Sequence, residues 1–211
     1  MTIRKQLLTQ SVASAIALVI GVALTPIMTR VYDPAAYGAF AVVNGIAVFL
    51  ATFFGFSMSA AIPAATSKAQ QRKLTRLCVY LGVLATVVSA VVAGAWGLTV
   101  SLQRSAESAL VVSVIMLLPV VVASIAWNRL AQSLAVTRRD FGALAFSRIL
   151  HPLLSKPLAI AVGVTLKAGA HALIIAEAFG NAVQFLANTK MSGRGVLIPR
   201  RVFSRRRFSV A

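Results

Sequence analysis

The 211-residue chain reads as an all-α polytopic membrane protein with six transmembrane helices. Three observations predict this class. Apolar residues make up 59% of the chain and charged residues 12%, and mean hydropathy is +0.86. Soluble domains sit nearer roughly 45–50% apolar and about 25% charged. The apolar residues fall in long uninterrupted runs, unlike the alternating segments of about 10 residues that mark a β-barrel. Finally, the basic residues that bring the net charge to +17 collect mostly in the breaks between runs. In a soluble protein such a charge would point to nucleic acid. Here it points to membrane topology and to anionic membrane lipids, with no nucleic-acid partner expected.

Apolar runs set against charged breaks place the spans at residues 7–29, 37–64, 77–100, 108–134, 141–166 and 169–188. The first follows Arg4 and Lys5. It is longer than the ~7–15-residue core of a signal peptide and lacks a clear cleavage site, so it reads as a retained helix. Pro26 is placed to bend its outer end. Most of the 21 basic residues then fall on one side: Arg4, Lys5, Lys68, Arg72, Lys73, Arg76, Arg129, Arg138, Arg139 and the tail. Arg30, Arg104 and Lys167 fall on the other. By the positive-inside rule both termini are expected in the cytoplasm. Two domains follow: a six-helix lobe at 1–189 and a basic cytoplasmic tail at 190–211. The lone Cys78 permits no intrachain disulfide and reads as a small buried hydrophobe.

The fifth span carries Arg148, His151 and Lys156 inside an apolar run. With its middle at Leu153–Leu154, Arg148 lies roughly 8 Å to one side and Lys156 roughly 4 Å to the other. A cation at the centre of a helix costs about 2.5–3.5 kcal/mol on insertion scales. Two such cations are expected to face a protein interior or a watery cavity, which would attract an anion. For Arg148, snorkelling to the nearby surface is the competing reading. Arg148, His151 and Ser155 share a face by their spacing, while Lys156 is rotated off it. Pro152 and Pro157 each remove a backbone donor, so a kink or local opening is expected there.

In the sixth span Glu177, Asn181, Gln184 and Asn188 are spaced by four, three and four, which forms one narrow polar stripe. It reads either as interhelical hydrogen bonding or as the wall of a hydrophilic cavity. Glu177, the only acid within a span, either neutralises Arg148 or Lys156 or takes up protons. Milder signals come from Gln10 and Ser14 in the first span, from Asn44, Thr52 and Ser59 in the second, and from Ser124, Asn128 and Gln132 in the fourth. Each is open to cavity lining, with helix packing the ordinary account. Trp96 and Trp127 lie toward span ends, where aromatic anchoring is usual. The candidate substrate-binding set is Arg148, Lys156, His151, Glu177, Asn181, Gln184 and Asn44.

Two histidines and one intramembrane acid make a poor metal site. There is no Walker loop, and there are too few acids for magnesium-dependent phosphotransfer. No enzyme activity, cofactor or metal is therefore expected.

The stretch at 25–40, TPIMTRVYDPAAYGAF, resembles the first extracytoplasmic turn of bacterial lipid-linked oligosaccharide flippases. These are the O-antigen and exopolysaccharide exporters of the multidrug/oligosaccharidyl-lipid/polysaccharide exporter superfamily. Thr29, Arg30, Tyr32, Pro34, Tyr37, Gly38 and Phe40 carry the likeness. The basic break at 67–77 and Phe146-Ser147-Arg148 fit the pattern more loosely. The resemblance implies one lobe of a two-lobed flippase-like fold around a cationic cavity. It further implies an undecaprenyl-pyrophosphate-linked oligosaccharide as cargo, moved by alternating access across the inner membrane. Six helices are half of that pattern, so the resemblance implies a truncated or half-length member that needs a second lobe or a second copy of itself. A non-transporting scaffold, a partner-binding subunit or an inactive fragment is the alternative. Arg30 is expected to serve the turn rather than the cargo.

Overall fold

The computed structural model describes residues 3–53, 57–101, 112–166 and 169–191. Within them the chain forms α1 (Ile3–Val31), α2 (Pro34–Ala51), α3 (Ser57–Ala61), α4 (Lys68–Ser101), α5 (Leu118–Thr137), α6 (Phe141–Leu166) and α7 (Gly169–Met191). Six helices are long and apolar enough to cross a membrane, so the chain is an all-α polytopic membrane protein. The tail expected at 190–211 lies, beyond Met191, outside the described residues.

The turns follow from local chemistry. Asp33 caps α2 by accepting a hydrogen bond from the Ala36 N–H at 2.7 Å, and Pro34 occupies the first turn, where its missing donor costs nothing. Between α5 and α6, Asp140 N donates to Ala135 O and Arg139 N to Val136 O, the two bonds of a Schellman closure. Arg139 takes the left-handed position of that motif with φ 58°. Asp140 then caps α6 through the Ala143 N–H at 3.2 Å.

The described residues refine the expected span boundaries. Of the second span expected at 37–64, helical backbone is described from Pro34 through Phe53 and again over α3, and residues 54–56 lie outside the described residues. The α-helical winding of α2 gives way to a π turn at 52–53, and α3 lies against α4 and α5, where Ile62 joins Cys78, Val79, Leu130 and Leu134 in a buried cluster. The third span starts at Lys68 rather than 77, because Ser67 caps it through Gln70 N. Lys68, Arg72, Lys73 and Arg76 therefore ride on an exposed helical extension. The fourth runs as Val112–Thr137, with a turn at Met116–Leu117 before α5; its expected start at 108 lies outside the described residues. Helix α6 is continuous across Pro152 and Pro157, so neither proline opens it into a non-helical segment.

Packing places α6 between α1 and α7, while α5 packs on α2, α4 and α7. Helix α2 also touches α7, so α1 and α2 stand on opposite flanks of the α5–α6–α7 layer. Alanines dominate the contacts: Ala47, Ala51, Ala85 and Ala93 in one cluster, Ala159, Ala172 and Ala176 in another. Small residues let helices approach where lipid offers no hydrophobic drive.

The second cluster fastens α1 to α6 at the end away from the basic loops. Tyr32 is buried there, and its hydroxyl donates to the Ala159 carbonyl. Its ring meets Tyr37 edge to face, with centroids 6.1 Å apart. Burial first, and Tyr37 second, push the Tyr32 phenol above its usual pKa, so it stays a donor. The ring lies over Gly163: a Cβ there would sit 2.5 Å from the Tyr32 hydroxyl and 2.9 Å from Val31 Cγ1. At the other end Gln10 Nε2 donates to Phe141 O at 2.8 Å, so α1 is pinned to α6 at both ends.

Gly163→Ala should therefore displace Tyr32 and lower stability by about 1–3 kcal/mol in detergent unfolding. Gly94→Ala, where an added Cβ meets nothing within 4 Å, should be neutral or slightly stabilising.

Candidate functional site

Between the α1 and α2 flanks lies a recess of about 520 Å³. Helix α1 contributes Ser14 and Ala17, and α2 contributes Asn44 and Val48. Ile125, Asn128, Arg129 and Gln132 come from α5, Arg148, His151 and Pro152 from α6, and Glu177, Asn181 and Gln184 from α7. These positions occupy the half of the bundle nearer the basic loops. Arg129 is exposed and marks the mouth.

Arg148 is half-buried and turns toward α1, where Nη1 donates to Ser14 Oγ at 2.9 Å. It thus lines the recess and helps hold α1 in place. Arg129 stands within electrostatic reach of it, so the recess carries two mutually repelling guanidiniums. An arginine keeps its charge under all ordinary conditions. The lining acid, Glu177, pairs elsewhere. Its Oε1 lies 3.3 Å from His151 Nε2, an ion-pair distance without hydrogen-bond alignment, and Nε2 has no hydrogen-bond partner. Two arginines against one acid leave the lining net positive, which suits an anion.

Lys156 is half-buried and does not line the recess, although its charge reaches Glu177. Its rotation off the Arg148–His151–Ser155 face is the reason. The other six candidates, Arg148, His151, Glu177, Asn181, Gln184 and Asn44, come together there.

The polar stripe of α7 serves both purposes weighed for it. Asn128 Nδ2 donates to Asn181 Oδ1 at 3.1 Å and to Gln184 Oε1 at 2.7 Å, which ties α5 to α7. Asn181 in turn donates to the Glu177 carbonyl at 3.2 Å. The same amides face the recess, and Asn128 Oδ1 is buried without a partner. Asn188 continues the stripe but is fully buried away from the lining, with both polar side-chain atoms unpartnered.

Gly180 sets the α6–α7 spacing at this level. A Cβ there would meet Ser155 Cβ at 2.8 Å and the His151 ring at 3.0 Å. Glycine therefore lets α6 come close enough for His151 to reach Glu177, one turn away on α7.

Arg129 is the site residue that loop-charge arithmetic hid. It had been accounted for by topology, yet it follows Asn128 directly and lies three positions before Gln132, on the polar face of α5. That spacing was the available signal. Arg30 is exposed and absent from the recess. Asp33 and Tyr32 of the same motif shape the turn and its packing.

No family model, curated protein or solved structure matches the chain.

Two outcomes check this site. In a Cys78→Ser background, Asn44→Cys and Gln132→Cys should react with a membrane-impermeant maleimide. Val91→Cys, on the exposed apolar face of α4, should not, because thiolate formation needs water. Asn128→Ala should destabilise the protein by about 1–2 kcal/mol in detergent unfolding, the loss of two interhelical bonds of average or better strength.

Proposed function

We propose that the chain is one lobe of a bacterial inner-membrane flippase that carries an undecaprenyl-pyrophosphate-linked oligosaccharide by alternating access. The carrying observation is the convergence of Arg129 and Arg148 on a recess within the membrane-spanning part of the bundle. Hydrocarbon cannot solvate those charges, whereas water and an anionic head group can. A diphosphate matches forked guanidinium donors. The amides of Asn128, Asn181 and Gln184, together with Asn44, offer donors and acceptors to sugar hydroxyls on the remaining walls.

The placement of the basic loops supports both termini on the cytoplasmic side, with the recess facing the compartment where the lipid-linked glycan is made. Helix α1 packs chiefly on α6 and α2 on α5 and α7, so among the described residues the two flanks of the recess are held by different neighbours. A second lobe, or a second copy of the chain, would complete the enclosure.

The test is transport of a fluorescent polyprenyl-pyrophosphate glycan in vesicles loaded with several copies of the chain each. Arg148→Ala and Arg129→Ala should each slow transport about tenfold or more, as expected for losing a hydrogen bond to a charged group. Lys156→Ala should leave the rate within about twofold, since that side chain does not line the recess. A double Arg129→Ala, Arg148→Ala variant that transports normally would remove both arginines from the mechanism. A silent wild-type chain would favour the scaffold reading.

A further inference from the structure

A second cavity, of about 390 Å³, lies on the outer side of the same α1–α6 pair, away from the recess. Its walls are Leu8, Val12 and Ile16 of α1 and Phe146 of α6, and its floor is Ala13 and Ala145. The wall residues are 41–64% exposed, while the two alanines are 2% and 6% exposed. Bulky rims over a floor of methyl groups make a furrow rather than a flat face. It runs along the first turns of both helices, within the leaflet at the basic end. Its lining is apolar apart from Thr9.

The furrow lies toward the end of the α1–α6 pair where Gln10 of α1 bonds Phe141, the first residue of α6. Arg138 and Arg139 are exposed on the turn that leads into α6, and the first turn of α1 carries Arg4 and Lys5 in sequence. Arg139 occupies the left-handed position of the turn into α6, φ 58°, which glycine adopts without strain.

We infer that the furrow is a binding site for an anionic phospholipid, with one acyl chain along Ala13 and Ala145 and the phosphate at Arg138 and Arg139. Shape selects a single chain, and charge selects the head group. The site is separate from the recess, and the inference stands whether or not the chain transports a glycan. Bound there, the lipid would cover the α1–α6 seam from outside, opposite the Arg148–Ser14 bond that closes it from within.

A photo-reactive benzoylphenylalanine in place of Phe146 tests this in the full-length chain. The protein is reconstituted in vesicles of equal parts phosphatidylglycerol and phosphatidylcholine, irradiated, and the adducts weighed by mass spectrometry. The same amino acid at Val91, exposed on α4, gives the background ratio. At position 146 phosphatidylglycerol adducts should exceed the Val91 ratio by about fivefold or more, the effect of one surface cation on an anionic lipid. Arg138→Gln with Arg139→Gly, which keeps the turn geometry, should return the ratio to background. Equal ratios at 146 and 91, a ratio at 146 that survives loss of both arginines, or cross-linking of 146 to a second protein chain would each overturn the inference.

Discussion

The arrangement depends on one constraint: a guanidinium eight residues into a membrane helix must find water or a partner. Arg148 meets it by turning inward to Ser14 and to an open recess. That choice requires α1 to stand beside α6 with a polar residue at the right height. It also requires α5 and α7 to leave space opposite. If α2 and α5 packed as tightly on α1 as they do on each other, Arg148 would be sealed into a dry interior. Partnerless burial of a charge costs several kcal/mol, more than a marginal fold can carry.

Two glycines make the remaining geometry possible, and they act on different neighbours of α6. Gly180 lets α6 and α7 close, which seats His151 against Glu177 and narrows the recess at its apolar end. Gly163 lets α1 reach α6 through Tyr32, which fills the far end of the bundle. Helix α6 is thus in close contact with both neighbours while the polar lining occupies its near half. The prolines add to this polarity without breaking the helix. Pro152 leaves the Arg148 carbonyl without its usual intrahelical donor, and Pro152 itself lines the recess.

Much of this was legible in composition and spacing. The fifth and sixth spans are bounded by charged or glycine-containing breaks, and their ends follow directly from the residues. The Glu177–Asn188 stripe and the Arg148–His151–Ser155 face also follow from helical spacing. The change to π winding after Ala51 was not legible, because neither Thr52 nor Phe53 is a breaker residue. The early start of α4 was hidden by the opposite effect. Its first turns are charged and exposed, held by a cap and the helix behind them rather than by burial. The roles of Gly163 and Gly180 depend on side chains from other helices, which a single sequence does not place. Lys156 shows the limit of depth as a guide: it is nearer the middle than Arg148, yet rotation about the helix axis removes it from the lining.

The same rotation explains why α7 carries packing and lining on one stripe. In water, a hydrogen-bonded amide facing a cavity competes with solvent, and its contribution to helix association falls. In a membrane lobe the cavity is the only local source of water, so an amide stripe at its edge is solvated on one side and bonded on the other. Asn128 holds the bonded side: Nδ2 ties α5 to α7 through two bonds, while its Oδ1 is buried without a partner. An amide with one end spent on structure and the other unspent holds its position when a ligand arrives. Little side-chain freedom remains to be lost on binding, so the entropic cost of recruiting it is small. The interaction that fixes the helices therefore also prepares the wall, and on that account the stripe's two readings describe a single device.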